Sequence, residues 1–247
     1  MHILNNDIEF VEENRDCSYF DEEVSDIRYR YMYNCSEQQY GKMLERGWRR
    51  FGRMHFVPEC KGCTKCISMR IDVANYKFSK SEKRVISKNK DTKLYIREPS
   101  MTVDHLKLYD KYHEHMQDKK DWTFSPIDPN DYLKSYVEGK KDYAKEFLYV
   151  RDNKLIGVAL VDILSSGMSA IYCFYDHDFD NLSIGKFSIL AQIKIAKEMK
   201  IPYIYLGYWI KDHFSMGYKE KYKPFEILKN RPKLDDEPIW EAQDNEL

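Results

Sequence analysis

Between Phe147 and Trp209 the sequence allows few arrangements. Phe147–Val150 is an apolar run, Asp152-Asn153 a turn signal, and Lys154–Leu164 a longer strand pattern, so the pair reads as a hairpin. Ser165-Ser166-Gly167 turns the chain again before a third strand at Ala170–Tyr175. Ser183 is placed to cap a helix from about Gly185 to Lys200, in which Phe187, Leu190, Ile193, Ile195, Ala196 and Met199 supply a largely buried surface. Pro202 restarts the chain into an aromatic strand, Tyr203–Trp209. Three strands, a helix and a strand make an antiparallel meander followed by a crossover, which requires a mixed sheet and an α+β fold.

The first half is less regular. Ser36-Glu37-Gln38-Gln39 and Ser79-Lys80-Ser81-Glu82 are capping boxes that open helices toward Gly47 and Asn89. Strands are predicted at Met54–Val57, Ile67–Val73 and Leu94–Arg97, and helices at Thr102–Met116 and Asp131–Val137. The stretch from Lys119 to Asn130, with Pro126 and Pro129, reads as a linker. The expected division is residues 1–118 as a smaller α+β N-terminal domain and 119–247 as the larger one. The element order of the latter fits the core of acyltransferases of the GCN5-related N-acetyltransferase type. There the turn between third strand and helix lies where the sheet splays, and the helix N-terminus offers free N–H groups. Asn181–Gly185 occupies that turn.

The 247 residues suffice for one large or two small cores, and 40 Lys+Arg against 41 Asp+Glu leave a net charge of −1. That balance conceals an asymmetry. Met1–Tyr40 holds ten acids and three bases, and Lys61–Arg97 holds eleven bases and three acids. The basic block suits an RNA-binding face, because phosphate attraction is local at physiological salt; a solvated helix face accounts for it equally simply. No apolar run reaches membrane-spanning length, and the acidic start MHILNNDIEFVEEN has no basic-then-apolar leader, so a cytoplasmic protein without a membrane partner is expected.

Two segments carry a specific resemblance: YCFYDHDFDNLSIGKFSILAQI and YIYLGYWIKDHFSMGYKEKYKPFEIL. They closely resemble the signature of the aminoacyl-tRNA–protein transferases, which include eukaryotic arginyltransferases and bacterial aspartate/glutamate leucyltransferases. CSYF at Cys17–Phe20, GWRRFG at Gly47–Gly52, PECKGCTKCISMRI at Pro58–Ile71 and FSKSEKRVISKNKD at Phe78–Asp91 resemble the same family in the same order. The compact length is similar to the leucyl-type branch.

The resemblance implies transfer of an amino acid, leucine in this branch, from aminoacyl-tRNA to the α-amine of a protein beginning with Asp or Glu, which marks that protein for N-degron degradation. The implied partners are leucyl-tRNA, with arginyl-tRNA as the alternative donor, and acidic-N-terminal proteins. The ester is already activated, and an α-amine with a pKa of about 7.7–8.0 is partly neutral near pH 7. Such a reaction needs positioning, oxyanion stabilisation and one proton acceptor, and no cofactor. The candidates are the Ser183–Gly185 turn with Tyr172, Tyr175 and Tyr208 as donors, and Asp176 as the proton acceptor. Asp176 reads equally well as a strand-end turn residue. Arg49, Arg50, Arg70 and Arg84 match the family's basic positions, and they, with Lys219, are candidates for the acceptor carboxylate, tRNA phosphate or structural ion pairs. Tyr208 and Trp209 are expected to line the cleft that takes the terminal adenosine or the amino acid. Tyr203 and Tyr205 are expected in the core.

Cys60, Cys63 and Cys66 form C-x2-C-x2-C, with Cys17 the natural fourth ligand. The resemblance allows zinc or an iron–sulfur cluster, and reduced structural thiols remain the other reading. Arg70 stands where a ferredoxin run would carry its next Cys. Phe20 stands where the eukaryotic relatives have a second Cys. Cys35 and Cys173 read as incidental. His113 and His115, two apart on a helix, point to different sides and are expected to be surface or core residues and not ligands. An acetyl-CoA-dependent N-acetyltransferase is the nearest alternative, although NLSIGKF keeps only one glycine of that fold's phosphate-binding turn. A non-catalytic RNA- or metal-binding protein is the other.

Overall fold

The computed structural model describes residues 7–120 and 123–243. The first six residues of the acidic start, Asp121 and Trp122 of the expected linker, and the last four residues of the acidic tail lie outside the described residues.

A small sheet begins the chain. β1 (Ile8–Asp16) and β2 (Val24–Tyr31) form a hairpin. Arg28 ties it together by pairing with Glu9 and Glu59, each at 2.8 Å, so part of the acidic excess is matched across strands. α1 (Glu37–Glu45) starts at the expected capping box: the Gln39 N–H donates to Ser36 Oγ at 3.2 Å and the Ser36 N–H to Gln39 Oε1 at 3.0 Å. Its inner face buries Tyr40, Met43 and Leu44. β3 (Arg49–Phe51) and β4 (Met54–Pro58) complete the sheet in the order β1-β2-β4-β3.

The larger sheet gathers eight strands from both halves of the chain. β5 (Ile67–Asp72) is followed by α2 (Lys80–Lys88), β6 (Lys93–Arg97) and α3 (Val103–Lys120). α4 (Pro129–Tyr132) runs into a wide turn at Leu133–Val137. The predicted meander then appears as β7 (Ala144–Arg151), β8 (Lys154–Leu164) and β9 (Gly167–Tyr175). A tight turn at His177–Leu182 leads into α5 (Ile184–Glu198), and β10 (Tyr203–Trp209), β11 (Phe225–Leu228) and β12 (Trp240–Gln243) close the chain. The spatial order is β12-β11-β5-β10-β9-β8-β7-β6.

The expected α+β class and the GCN5-related order of meander, helix and parallel crossover are therefore present. The division at residue 118 needs correction. β5, α2, β6 and α3 all precede that residue, yet β5 lies between β10 and β11, and β6 pairs with β7. Only the strands between Ile8 and Pro58 belong to the small sheet.

α5 covers one face of the large sheet with Ile184, Leu190, Ile193 and Ala196 fully buried, and α3 covers the other with Leu108, Tyr112 and Met116. Each fully buried aliphatic side chain contributes about 1.5–3 kcal/mol. The two sheets are joined by a third cluster containing Tyr40, Trp48, Tyr143 and Tyr205. An ion pair lies within this joint. Arg50 donates to Asp162, with Nε to Oδ2 at 2.8 Å, and its guanidinium lies 5.6 Å from the Tyr40 ring centre and 5.5 Å from that of Tyr143. Asp162 is wholly buried and Arg50 nearly so.

Candidate active site

β9 and β10 pair in parallel only at Ile204–Met168 and Tyr205–Ser169. Beyond that point the sheet splays, as the sequence order implied. Gly207 marks the divergence with φ +77° and a register shift against β5. Its missing side chain matters, because a Cβ there would lie 3.3 Å from Arg49 Nε. Arg49, from β3, inserts into the gap. Its guanidinium donates to the carbonyl of Ala170 on β9 and, at 3.4 Å, to that of Tyr205 on β10. One side chain thus replaces ladder bonds that the splay removes.

Lys219 serves the next free carbonyl on β10. Its ammonium donates to Tyr208 O and to Met216 Sδ at 3.7 Å, and the residue is 7% exposed. Burial, followed by the Arg49 charge, pulls its pKa down from 10.5 to about 7. Tyr218, its neighbour in sequence, stands close enough to Tyr175 for the two phenol charges to interact. Tyr175 in turn packs on the start of α5, where a Cβ on Gly185 would meet its ring at 2.9 Å.

That helix start differs from the simple cap expected of Ser183. Ser183 adopts φ 53°, ψ 51° and its side chain caps nothing. The cap belongs one turn earlier, where Asp176 accepts the Asp178 N–H at 3.0 Å. Asp176 also binds Lys111 at 2.5 Å and Lys154 at 2.6 Å. Burial alone would raise its pKa, but these two ammonium groups and the N–H hold it below the ordinary aspartate range. A carboxylate so stabilised is a poor proton acceptor, so the role expected of Asp176 moves elsewhere. Tyr172 is also placed apart from Ser183. Its hydroxyl bonds His113 Nε2 at 2.7 Å, and its ring stacks on Tyr136 under α3, across the sheet from α5.

Of the four candidate arginines, only Arg49 lies in the splay. Arg50 is the buried partner of Asp162. Arg70 pairs with Glu226 at 2.6 Å and covers the Tyr203 ring at 3.6 Å. Arg84 is exposed on α2. α2 is fixed beside the α5 turn, where Asn89 Nδ2 donates to Leu182 O at 2.8 Å.

A cleft of about 480 Å3 opens next to the splay, lined by Gly47, Cys66, Ser68, Tyr208, Asn230 and Arg231 among others. Tyr208 forms part of its wall, with its hydroxyl donating to Gly47 O at 3.0 Å. Trp209 does not join it. That side chain is buried in the main core against Phe225, so the cleft-lining role expected of it is corrected. Tyr205 is buried as expected, and Tyr203 is partly buried beside it.

Cys66 lines the same cleft, and Cys17, Cys60 and Cys63 lie near enough for their charges to act on its thiol. Burial, then the charges of Cys17, Cys60 and Cys63, raise the Cys66 thiol to about 12. Arg231 organises the loop by donating to Cys60 O at 2.9 Å and Cys63 O at 2.7 Å. Sequence reasoning missed Arg231 because its position is defined only by these distant carbonyls. It also passed over Tyr19, although CSYF contains it. The Tyr19 phenol is raised to about 12 by burial and by Cys66 and Cys17, which puts it in the same constellation.

Comparison with known proteins places the sequence in a family. Residues 15–84 match the family model described as arginine-tRNA-protein transferase, N terminus, and residues 104–229 match that described as its C terminus. An aspartate/glutamate leucyltransferase of Helicobacter hepaticus is 46% identical over 95% of this chain and 97% of its own length. One of Campylobacter jejuni is 46% identical over 91% and 95%, and one of Saccharophagus degradans is 35% identical over 87% and 90%. Among solved structures, FemX aligns with a TM-score of 0.48 at 9% identity, covering 63% of this chain and 57% of FemX. L-PGS from Bacillus licheniformis aligns at 0.48 and 11% identity, covering 72% and 58%. Both family models match in order along this chain, which spans nine-tenths or more of each relative named, and the chain therefore belongs to the arginine-tRNA-protein transferase family.

Proposed function

We propose that this chain transfers leucine from leucyl-tRNA to the α-amine of proteins that begin with Asp or Glu, acting in the cytoplasm. The observation that carries the reading is the pair Arg49 and Lys219, two buried cations set on the carbonyls of β10 where the sheet opens.

The incoming α-amine attacks the ester carbonyl. Its lone pair forms the C–N bond while the C=O electrons move to oxygen. The intermediate collapses, the peptide bond remains, and the ribose oxygen of tRNA leaves with a proton. The free N–H groups at the start of α5 and the Arg49 guanidinium supply the positive field for the oxyanion. Lys219 takes the amine proton, since a lysine of pKa about 7 is partly neutral at physiological pH. The acceptor's carboxylate fits the cleft beside Arg231, whose guanidinium is anchored on backbone carbonyls. α2, whose C-terminal end is bonded to the turn before α5, also carries the exposed bases Lys80, Lys83 and Arg84, which suit the phosphates of the tRNA acceptor arm.

Cys17, Cys60, Cys63 and Cys66 have the donor chemistry of a thiophilic metal site. Burial raises the Cys66 thiol first and the other three thiols add to it, and a bound cation would favour the thiolates instead. Zinc or an iron–sulfur cluster held there would pin the Cys17 loop to the start of β5 and give the cleft a fixed wall. No step of the transfer passes through it.

The test supplies leucyl-tRNA, arginyl-tRNA or acetyl-CoA with peptides beginning with Asp, Glu or Ala. Leucine transfer to the Asp and Glu peptides alone is expected. Modification supported by acetyl-CoA and not by charged tRNA would overturn the reading.

A further inference from the structure

Away from the splay, helix α3 and the turn before α5 bring His115, His177 and Asp180 together. One potential ligand atom from each lies within 4.8 Å of the others. His177 Nδ1 and Asp180 Oδ1 are 2.9 Å apart, and the His115 and His177 rings stack with centres 3.6 Å apart. Donor atoms around one zinc stand roughly 3–3.5 Å apart at bond lengths near 2.0–2.1 Å, so the His115 ring must turn out of its stack on His177 to aim a nitrogen at the same point. The His115 ring, on an accessible helix face, has the broad χ2 freedom such a rotation needs.

A second observation is independent of this spacing. The His177 side chain is 6% exposed, and its Nε2 is buried without a hydrogen-bond partner. Tyr112 and Tyr175 enclose the ring. His177 Nδ1 faces Asp180, so an ion at that nitrogen would leave the ring proton on Nε2, inside the tyrosine enclosure. The opposing charge is Lys119; Lys111 is neutralised by Asp176 and Asp178.

We propose that His115, His177 and Asp180 form a binding site for a divalent transition-metal ion of the zinc class. Two imidazoles and one carboxylate select zinc or cobalt over magnesium or calcium, and three protein ligands leave a position for water. The ion ties α3 to the His177–Leu182 turn and so fixes the segment that presents Ser183 and the start of α5. It is distinct from the thiol set beside Cys66.

The test strips the full chain with a chelator and then titrates zinc and cobalt. The wild type is expected to bind one more equivalent of zinc than His115→Ala, with Asp180→Asn weakening that equivalent by at least tenfold. The cobalt difference spectrum, wild type minus His115→Ala, is expected to show weak visible bands without the intense thiolate charge-transfer band that the cysteines would give. Because His115 is partly exposed, its replacement spares the core; should that variant nevertheless unfold, the assigned ring signals of His115 and His177 in the wild type decide, and zinc is expected to shift both. Equal zinc content with superposable cobalt spectra, or ring signals unmoved by zinc, overturns the proposal.

Discussion

Arg49 and Lys219 hold two carbonyls of one strand: Arg49 binds Tyr205 O before the Gly207 bulge and Lys219 binds Tyr208 O after it. The guanidinium also depresses the lysine pKa. If Lys219 is the proton acceptor, activity must fall as pH drops through about 7, because protonation removes the base. Lys219→Arg keeps the charge and cannot deprotonate, so it is expected to lose about 10²–10⁴-fold in kcat and to lose the limb near pH 7. Single-turnover rates from pH 5.5 to 9 check this; an unchanged limb in the variant assigns the proton elsewhere.

The same lysine carries a stability signature that also rises with pH. Its folded pKa of about 7 lies below the ordinary 10.5, so the unfolded chain binds more protons between those values and folding stability rises with pH across that window. Lys219→Met removes the buried charge and is expected to abolish this slope while stabilising the fold at pH 6 by roughly 1–4 kcal/mol. Urea unfolding at pH 6 and pH 9 measures both effects. A more stable, inactive variant marks the lysine as retained for chemistry.

Asp176→Asn separates positioning from proton transfer. The native carboxylate is held by Lys111 and Lys154, with its pKa below the ordinary value. Its contribution to stability is therefore present above the unfolded aspartate pKa and lost as pH falls through the lower folded one. The variant is expected to lower the melting temperature at neutral pH and to leave the pH 7 limb of activity in place. Loss of that limb would restore Asp176 as the base.

Asp162 tests the joint between the sheets. Removing it leaves Arg50 charged, buried and facing Tyr40 and Tyr143 without a carboxylate. Asp162→Ala is expected to cost about 3–5 kcal/mol, since breaking one side of a buried pair strands the other charge. Chemical denaturation measures it. Arg50 and Asp162 replaced together by apolar residues are expected to recover most of the loss.

What could be read in the sequence followed from local signals. Both capping boxes, the Lys154–Leu164 and Tyr203–Trp209 strands and the meander depend on spacing within one segment, and all appear. β1 and β2 were not anticipated, because β1 is mostly exposed on both faces and shows no half-buried alternation. The placement of β5 beside β10 depends on pairing across more than a hundred residues, which no local pattern encodes. The site was legible to the same degree. Arg49 stands out through the resemblance and Lys219 through its place after the last core strand, whereas separating Arg49 from Arg50 and Arg70 requires knowing where Asp162 and Glu226 fold back. Tyr208 and Trp209 are adjacent on a strand and alternate faces, but which face met the cleft was set by β5 and β4.

Arg84 distinguishes the tRNA face from the peptide socket. It is exposed on α2, whose C-terminal end bonds the Leu182 carbonyl beside the α5 turn. A phosphate contact there adds affinity that salt screens, so Arg84→Glu is expected to raise the KM for charged tRNA and to reduce the slope of log affinity against log salt by about 1. The KM for the acceptor peptide is expected to stay unchanged, because the cleft beside Arg231 is formed by other residues. Filter binding and transfer kinetics at several salt concentrations measure all three quantities. A variant that instead weakens the peptide and leaves the salt slope intact would move the carboxylate socket to α2 and the tRNA to another surface.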